Sequence, residues 1–415
     1  MKFLLLNQFY PPDPAPTGWY LHGLARELVR RGHAVRVFCS RRSYDGDRSF
    51  PSRETRDGVE VRRLQATGFG RRGFIGKVAD YASFYASLAS ALAFDRSKPN
   101  LILSLTTPPY IGVLGKAAAA KLGCRHAHWI MDVYPDVMHA HRMSGAQGLS
   151  MRFLRQLTRF QLRGASNVLT LGPYMAGRIA PYSDDSASWL PLWSDPDLKP
   201  WDEAIPNPLR AQRGWTEKET VFLYSGNMGL GHTFEEFLSA AVHLGRSGPR
   251  WVFSGGGKRR SEIEAFARSH PEAPISLLGY VPHGQLRAHL CAADVHLASL
   301  DPAWQGLMAP SKLQASFAVA RPVIFVGGAR SETAAWIEKS GGGWVVDQND
   351  LAGLLRAIRE ASNPDERRRR GQAAQAFARK NFSLTENSAR MAQLLEGDAV
   401  SDPLSLRCST ELINT

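Results

Sequence analysis

Three short stretches combine residue types that could act on a phosphorylated substrate. The first is Gly226-Asn227-Met228-Gly229-Leu230-Gly231, followed by His232. Glycines between a strand and a helix let backbone N–H groups approach a phosphate, and a helix start adds partial positive charge. The order is G-x-x-G-x-G, whereas dinucleotide sites carry G-x-G-x-x-G. The next apolar run, Trp251-Val252-Phe253-Ser254, ends in Gly255-Gly256-Gly257-Lys258, without the acid that holds an NAD ribose. That disfavours a nicotinamide dehydrogenase, and a glycine turn of this kind can also serve packing alone. The second stretch is Ala309-Pro310-Ser311-Lys312-Leu313, opening a helix expected to run to about Ala320. A cation in the first helical turn is unfavourable unless an anion offsets it, although a lysine can also snorkel to solvent. With both stretches in one domain, a diphosphate between two helix starts is the better reading. The third is His126-Ala127-His128-Trp129-Ile130-Met131-Asp132-Val133-Tyr134-Pro135-Asp136. An acid at the carboxyl end of a parallel strand lies where doubly wound sheets bind ligands; capping the following helix is an equally open role for Asp132. His139 and His141 do not have the spacing of a metal site. Ser194-Asp195-Pro196-Asp197 reads as turn chemistry in a Pro-rich connector. No metal and no cofactor is expected.

The elements that must position these residues repeat one grammar. Phe3–Leu6 is a short apolar run suited to a buried parallel strand, and a Pro-rich loop follows it. Leu21, Leu24, Ala25, Leu28 and Val29 then recur at helical spacing, Gly32 closes that helix, and Val35–Phe38 begins the next strand. The same strand, loop, helix, strand order returns with Val221–Tyr224, the Gly-rich loop, a helix over 233–244 capped by Thr233, and Trp251–Phe253. Further strands are expected near 275–278, 295–298, 323–326 and 344–346. The fold class is therefore α/β, with two doubly wound, Rossmann-like domains joined near residue 200. The expected domains are 1–200 and 201–379, with a last helix over 380–397 and a loose tail over 398–415.

Length and composition narrow the partners. At 415 residues the chain holds enough sequence for roughly two to three domains. A hydrophobic fraction of 44% and a charged fraction of 21% are those of a globular protein. Four scattered cysteines form no C-x-x-C pair, which fits a reducing, cytoplasmic setting. The short apolar start is too brief for a signal peptide. Lys and Arg exceed Asp and Glu by 13, so the partner is anionic: nucleic acid, membrane or phosphate. Arg26 to Arg72 holds thirteen Arg against six acids, followed by an expected amphipathic helix over 74–94 flanked by Arg71, Arg72 and Lys77. This is either a solvated basic surface beside a core helix or a face for anionic lipid. Nucleic acid has least support, because no recognised binding pattern accompanies the charge.

Taken in order, these motifs resemble the family-4 glycosyltransferases of the two-domain GT-B fold, in the branch that builds bacterial surface polysaccharides of the colanic-acid, O-antigen or capsule type. The carriers are Gln8-Phe9-Tyr10-Pro11-Pro12, Arg31-Gly32-His33-Ala34-Val35-Arg36-Val37, Thr107-Pro108-Pro109, Asp132-Val133-Tyr134-Pro135 and Tyr224-Ser225-Gly226-Asn227-Met228-Gly229. Pro310-Ser311-Lys312 with Ala318-Val319-Ala320-Arg321-Pro322-Val323 completes the series. The resemblance implies a cleft between the domains, a nucleotide-sugar donor in the carboxyl domain, UDP-linked rather than GDP-linked, and transfer with retention, without a metal. The acceptor implied is a lipid-carried (polyprenyl-diphosphate) saccharide on the amino domain, at the inner face of the cytoplasmic membrane. The sugar moved would be a hexosyl or N-acetylhexosaminyl unit. By the same resemblance Gly226, Asn227, Gly229, His232, Pro310, Ser311 and Lys312 meet the donor, and Gly18 lies at the cleft from the other domain. The backbone of Gly279-Tyr280-Val281 meets the nucleobase, Asp132 orients or deprotonates the acceptor hydroxyl, and the last helix returns to the amino domain. One departure stands out: Leu307 and Ala315 occupy positions where many members carry two Glu. Two rivals follow: a sugar-nucleotide epimerase of the same fold, and a non-catalytic scaffold subunit.

Overall fold

A computed structural model describes residues 1–44, 48–69, 73–140, 148–184, 187–202, 204–216 and 218–398. Arg71, Arg72, His141, Cys408 and the expected tail from residue 399 onward lie outside them. The chain divides into two compact units, Met1–Pro191 together with the chain from Thr385, and Leu192–Leu384. The connection thus falls earlier than residue 200.

In the first unit the chain forms β1 (Lys2–Leu6), α1 (Pro16–Arg30), β2 (Ala34–Ser40), β3 (Arg53–Arg56), β4 (Val59–Leu64) and α2 (Gly73–Ala93). It continues with β5 (Leu101–Ser104), α3 (Ile111–Leu122), β6 (Arg125–Trp129), α4 (Asp136–Ala140), α5 (Leu149–Leu162), β7 (Asn167–Thr170), α6 (Pro173–Ile179) and β8 (Ser188–Trp189). The sheet order is β3-β4-β2-β1-β5-β6-β7-β8. β3 pairs antiparallel with β4, and the other pairs are parallel. The apolar run Phe3–Leu6 is buried on both faces, as a central parallel strand requires. Gly32, at φ +84°, ends α1: its N–H bonds to the Val29 carbonyl and that of His33 to Leu28.

The second unit runs α7 (Pro208–Arg213), β9 (Val221–Ser225), α8 (Glu235–Leu244), β10 (Arg250–Ser254), α9 (Arg260–Ser269), β11 (Ile275–Leu278), α10 (Leu286–Cys291) and β12 (Val295–Leu300). Then come α11 (Lys312–Ala318), β13 (Val323–Gly327), α12 (Glu332–Ser340), β14 (Gly343–Val346), α13 (Leu351–Ala361) and α14 (Pro364–Asn381). Its six strands are all parallel, ordered β11-β10-β9-β12-β13-β14. In each sheet the direction of winding reverses beside the first strand, between β1 and β5 and between β9 and β12. Those reversals open crevices at the carboxyl ends of the strands, where loops can hold a ligand.

The final helix, α15 (Leu384–Glu396), belongs to the first unit. Glu396 receives two hydrogen bonds from Arg31, at 2.8 and 2.6 Å, and sits 2.5 Å from His33 Nε2. The hydrogen bonds from Arg31, which outweigh the burial cost, hold its carboxyl down at about 2. Two sequence-based boundaries shift. The helix expected from Thr233 starts at Glu235, and Thr233 does not cap it. The helix expected to reach Ala320 stops at Ala318, because Ala320 takes φ +56° and the Arg321 N–H turns back to Ser316. The apolar face of α2 packs inward, with Phe84, Leu88 and Leu92 in the core, so those residues are not a surface for lipid. No helix among the described residues is long and apolar enough to cross a membrane.

Candidate functional site

In the second unit the loops after β9, β10 and β12 meet. Gly226 takes φ +128° and its N–H donates to the Ser254 carbonyl, while the Met228 N–H donates to that of Gly256 at 2.6 Å. Gly255 and Gly257 sit at φ +124° and +134°. A Cβ on Gly255 would fall 2.1 Å from the Gly226 carbonyl oxygen, and one on Gly257 2.4 Å from that of Met228. The glycines therefore let two backbone loops lie against each other, a close approach no other residue permits. Gly231 has its own reason: a Cβ there would meet the Trp304 ring at 2.9 Å. Gly229 faces the amide of Asn227, which is exposed at the loop surface.

Lys312, the first residue of α11, brings its side chain into this loop. Its Nζ lies 3.2 Å from His232 Nε2 and 4.8 Å from the centroid of the Tyr224 ring, and its Cε is the nearest neighbour of Gly226. On the far side of the imidazole, Nδ1 is 2.6 Å from the Ser299 carbonyl, which can only accept. The proton therefore sits on Nδ1, and Nε2 accepts from the lysine. Burial first, then the Lys312 charge, pushes His232 down to about 3, so it stays neutral. Burial alone brings the Lys312 ammonium down to about 7. Among the described residues no carboxylate pairs with it. A half-buried lysine facing a neutral histidine and an aromatic ring has no counter-ion among the described residues, and an arriving anion would restore its charge.

Helix starts contribute less than the sequence suggested. α8 begins well past the glycines and carries Glu235 and Glu236 in its first turn. Glu235 pairs with Arg259, whose guanidinium also donates to the His232 carbonyl at 2.6 Å and to Glu262 at 2.8 Å. The Arg259 N–H further holds the Met228 carbonyl. Sequence reasoning passed over Arg259, although Lys258-Arg259-Arg260 directly after a glycine run at a strand end is a visible signal. Pro310 is buried and Ser311 exposed, and the Ser311 side chain makes no cap. Leu307 is buried in the loop after β12, and Ala315 packs against the core of this unit. Both positions are thus given to packing. In the loop after β11, the Gly279 carbonyl accepts from Ser254 Oγ at 2.9 Å. The exposed Tyr280 ring lies beside Gly256, and Val281 follows it.

Asp132 and Gly18 belong to the first unit. Gly18 is buried in α1, where a Cβ would meet the Phe9 carbonyl oxygen at 2.9 Å, so close packing of α1 on the loop after β1 already demands glycine. Asp132 follows β6. Burial raises its carboxyl to about 6. Tyr134 and Tyr81 are near enough for the Asp132 charge to push their phenols up, second to burial for Tyr134. Tyr110 lies 6.2 Å from Tyr134 between ring centroids, and the Tyr85 hydroxyl bonds to the Pro109 carbonyl. In α4 the Val137 N–H bonds to Val133 and that of Met138 to Pro135, so main-chain acceptors serve this first turn. The tyrosines around Asp132 come from three separate segments, and no spacing in the sequence announces their meeting. Among the described residues no three His, Cys, Asp or Glu side chains gather as a metal-ligand set.

Residues 17–183 match the family model described as a glycosyl transferase 4-like domain. The probable glycosyltransferase WbjE of Pseudomonas aeruginosa is 25% identical over 289 residues, covering 68% of this chain and 71% of the relative. The putative colanic acid biosynthesis glycosyl transferase WcaI of Escherichia coli (strain K12) is 25% identical over 379 residues, covering 87% of this chain and 92% of WcaI. Among solved structures, Anabaena Alr3699/HepE in complex with UDP-glucose superposes with a TM-score of 0.68 at 13% identity, over 95% of this chain and 99% of that one.

Proposed function

We propose that this chain is a family-4 glycosyltransferase of the GT-B fold, similar to the relatives above, and moves a sugar from a nucleotide-diphosphate sugar to a lipid-carried saccharide in the building of a cell-surface polysaccharide. The names of WcaI and WbjE support the reaction class, and that of WcaI the pathway. The UDP-glucose held by the structurally similar Alr3699/HepE supports a UDP-linked donor over a GDP-linked one. The observation that carries the reading is Lys312: a half-buried lysine with no carboxylate partner among the described residues, aimed at a glycine loop and held at about 7. A diphosphate placed there would recharge it, and the charge would then stabilise the departing diphosphate without a metal. Gly226, Asn227, Gly229, His232, Pro310 and Ser311 would border the same group, and Gly279-Tyr280-Val281 the nucleobase. The acceptor would use the first unit, near Gly18, with Asp132 orienting its hydroxyl or taking its proton. Transfer with retention, a hexosyl or N-acetylhexosaminyl sugar, and work at the inner face of the cytoplasmic membrane complete the proposal.

The test is an isotope-transfer and thermal-shift screen of UDP-, GDP- and dTDP-sugars, with and without polyprenyl-diphosphate saccharides. Acceptor-dependent transfer from a UDP-sugar is expected. Conversion of the donor without an acceptor would identify an epimerase. No stabilisation by any nucleotide would leave a scaffold, the reading that Leu307 and Ala315 favour.

A further inference from the structure

Helix α5 carries an apolar stripe that the core does not use. Its inward side holds Met151, Thr158, Gln161 and Leu162, all buried. On the opposite side Leu149 is 82% exposed, Phe153 63% and Phe160 46%. At about 100° per residue these three fall within a narrow sector, and Arg152, Arg155, Arg159 and Arg163 line one flank of it. Two exposed phenylalanines on one helix are an expensive surface to leave in water.

The charge carried by the stripe's own helix and its neighbour is of one sign. α3, which packs beside α5, and α5 together contain Lys116, Lys121, Arg152, Arg155 and Arg159 and not a single acid. Lys116 Nζ binds the Phe160 and Arg163 carbonyls at the end of α5 and lies 4.8 Å from the Phe160 ring. Among the described residues Arg152 and Arg155 pair with no carboxylate; in this row only Arg163 does, with Asp184 at 3.4 Å.

We infer that this face of α5 docks on an anionic lipid bilayer, with Leu149, Phe153 and Phe160 entering the headgroup boundary and the arginines meeting lipid phosphates. Rings and leucine beside a row of arginines, on helices that carry no acid, match the chemistry of such a surface, apolar below and negative above. The face is distinct from α2, whose Phe84, Leu88 and Leu92 are spent on the core. It is tied to the loop that follows Asp132: Thr158 Oγ1 on the buried side of α5 donates to the Tyr134 carbonyl at 2.9 Å. Docking through α5 would hold that loop close to the plane where a lipid-carried acceptor presents its sugar. The inference rests on the lipid-linked acceptor proposed above.

The experiment is partition of the full chain between buffer and sedimenting vesicles, of pure phosphatidylcholine or with added phosphatidylglycerol. Binding is expected only with phosphatidylglycerol and should weaken as salt rises. Phe153→Ala with Phe160→Ala should lower partition by about tenfold or more, and Arg152→Gln with Arg155→Gln by a similar factor. Both pairs should leave the thermal midpoint and transfer to a water-soluble saccharide acceptor unchanged. Phe153→Trp keeps the bulk, and its emission should shift to the blue on the anionic vesicles. Unchanged partition in both pairs, or an unshifted tryptophan, would overturn the inference. So would a fall in sedimentation mass from dimer to monomer in the phenylalanine pair, which would make the face a contact between copies. Vesicle binding through α5 without sugar transfer to any acceptor would instead sink the transferase reading and leave the docking face standing.

Discussion

The two parallel sheets reverse their winding at equivalent places, yet the loops there carry opposite chemistry. Beyond β9, β10 and β12 the chain supplies glycines, a neutral histidine and a half-buried lysine with no carboxylate partner among the described residues. Beyond β6 it supplies a carboxyl raised to about 6 among tyrosines. One crevice lacks an anion; the other holds an acid whose proton can come and go near neutral pH. On the proposed reading one architecture would offer a phosphate-binding edge and a hydroxyl-binding edge, with side chains in the loops, not strand order, deciding which is which.

The sharpest way to break this contrast is Asp132→Asn. If Asp132 takes the acceptor proton, turnover should fall by about 10²–10⁴-fold with nucleotide affinity unchanged. Wild-type turnover should also rise with pH through about 6, as the raised carboxyl ionises. Steady-state kinetics and nucleotide titration separate the two quantities. Turnover unchanged in the variant would reduce Asp132 to a buried structural acid.

Lys312→Ala probes the opposite crevice. Loss of one charge-assisted contact to the diphosphate should weaken nucleotide-sugar binding by about 10–100-fold. The thermal midpoint without ligand should hold or rise, because a half-buried cation with no carboxylate partner among the described residues is removed. Gly255→Ala tests the loop contact itself: at φ +124°, with a Cβ 2.1 Å from the Gly226 carbonyl, it should cost about 1–3 kcal/mol. Denaturant unfolding followed at the tryptophans of the second unit would read that loss.

The smallest effect concerns the helix that returns to the first unit. Glu396→Gln leaves Arg31 and His33 without their carboxylate and should cost about 1 kcal/mol. Because the folded carboxyl lies at about 2, below its ordinary value, its stabilisation is present above about 4.5 and is lost as pH falls toward 2. The pH dependence of unfolding should flatten in that window in the variant.

Much of this was legible in the sequence. Buried strands such as Phe3–Leu6 and Val221–Tyr224 announce themselves as short apolar runs, because a central parallel strand is covered on both faces. The Gly-rich loop and Lys312 were each visible, and their meeting across 80 positions followed from placing both loops at the carboxyl ends of parallel strands. Other features were hidden because they depend on packing. The tautomer of His232 is set by the Ser299 carbonyl, a main-chain group with no sequence signature. Gly18 reads as a ligand contact by resemblance, while its crowding against Phe9 is a matter of helix approach. Arg-rich composition pointed to the segment before residue 72 and to α2 for lipid contact. The proposed docking face is on α5 instead, because helical spacing alone does not say which apolar face the core has already taken.

The central claim is that Lys312 awaits a diphosphate. It is tested most directly by calorimetric titration of UDP-glucose, whose diphosphate has no proton to lose near neutrality, at pH 7 and pH 8.5. With the free lysine at about 7, binding must take up a proton above that value, so affinity should fall by about tenfold over this range. The heat should then vary with the ionisation enthalpy of the buffer, and both effects should vanish in Lys312→Ala. An affinity independent of pH, released without proton uptake and unchanged in the variant, would contradict the account.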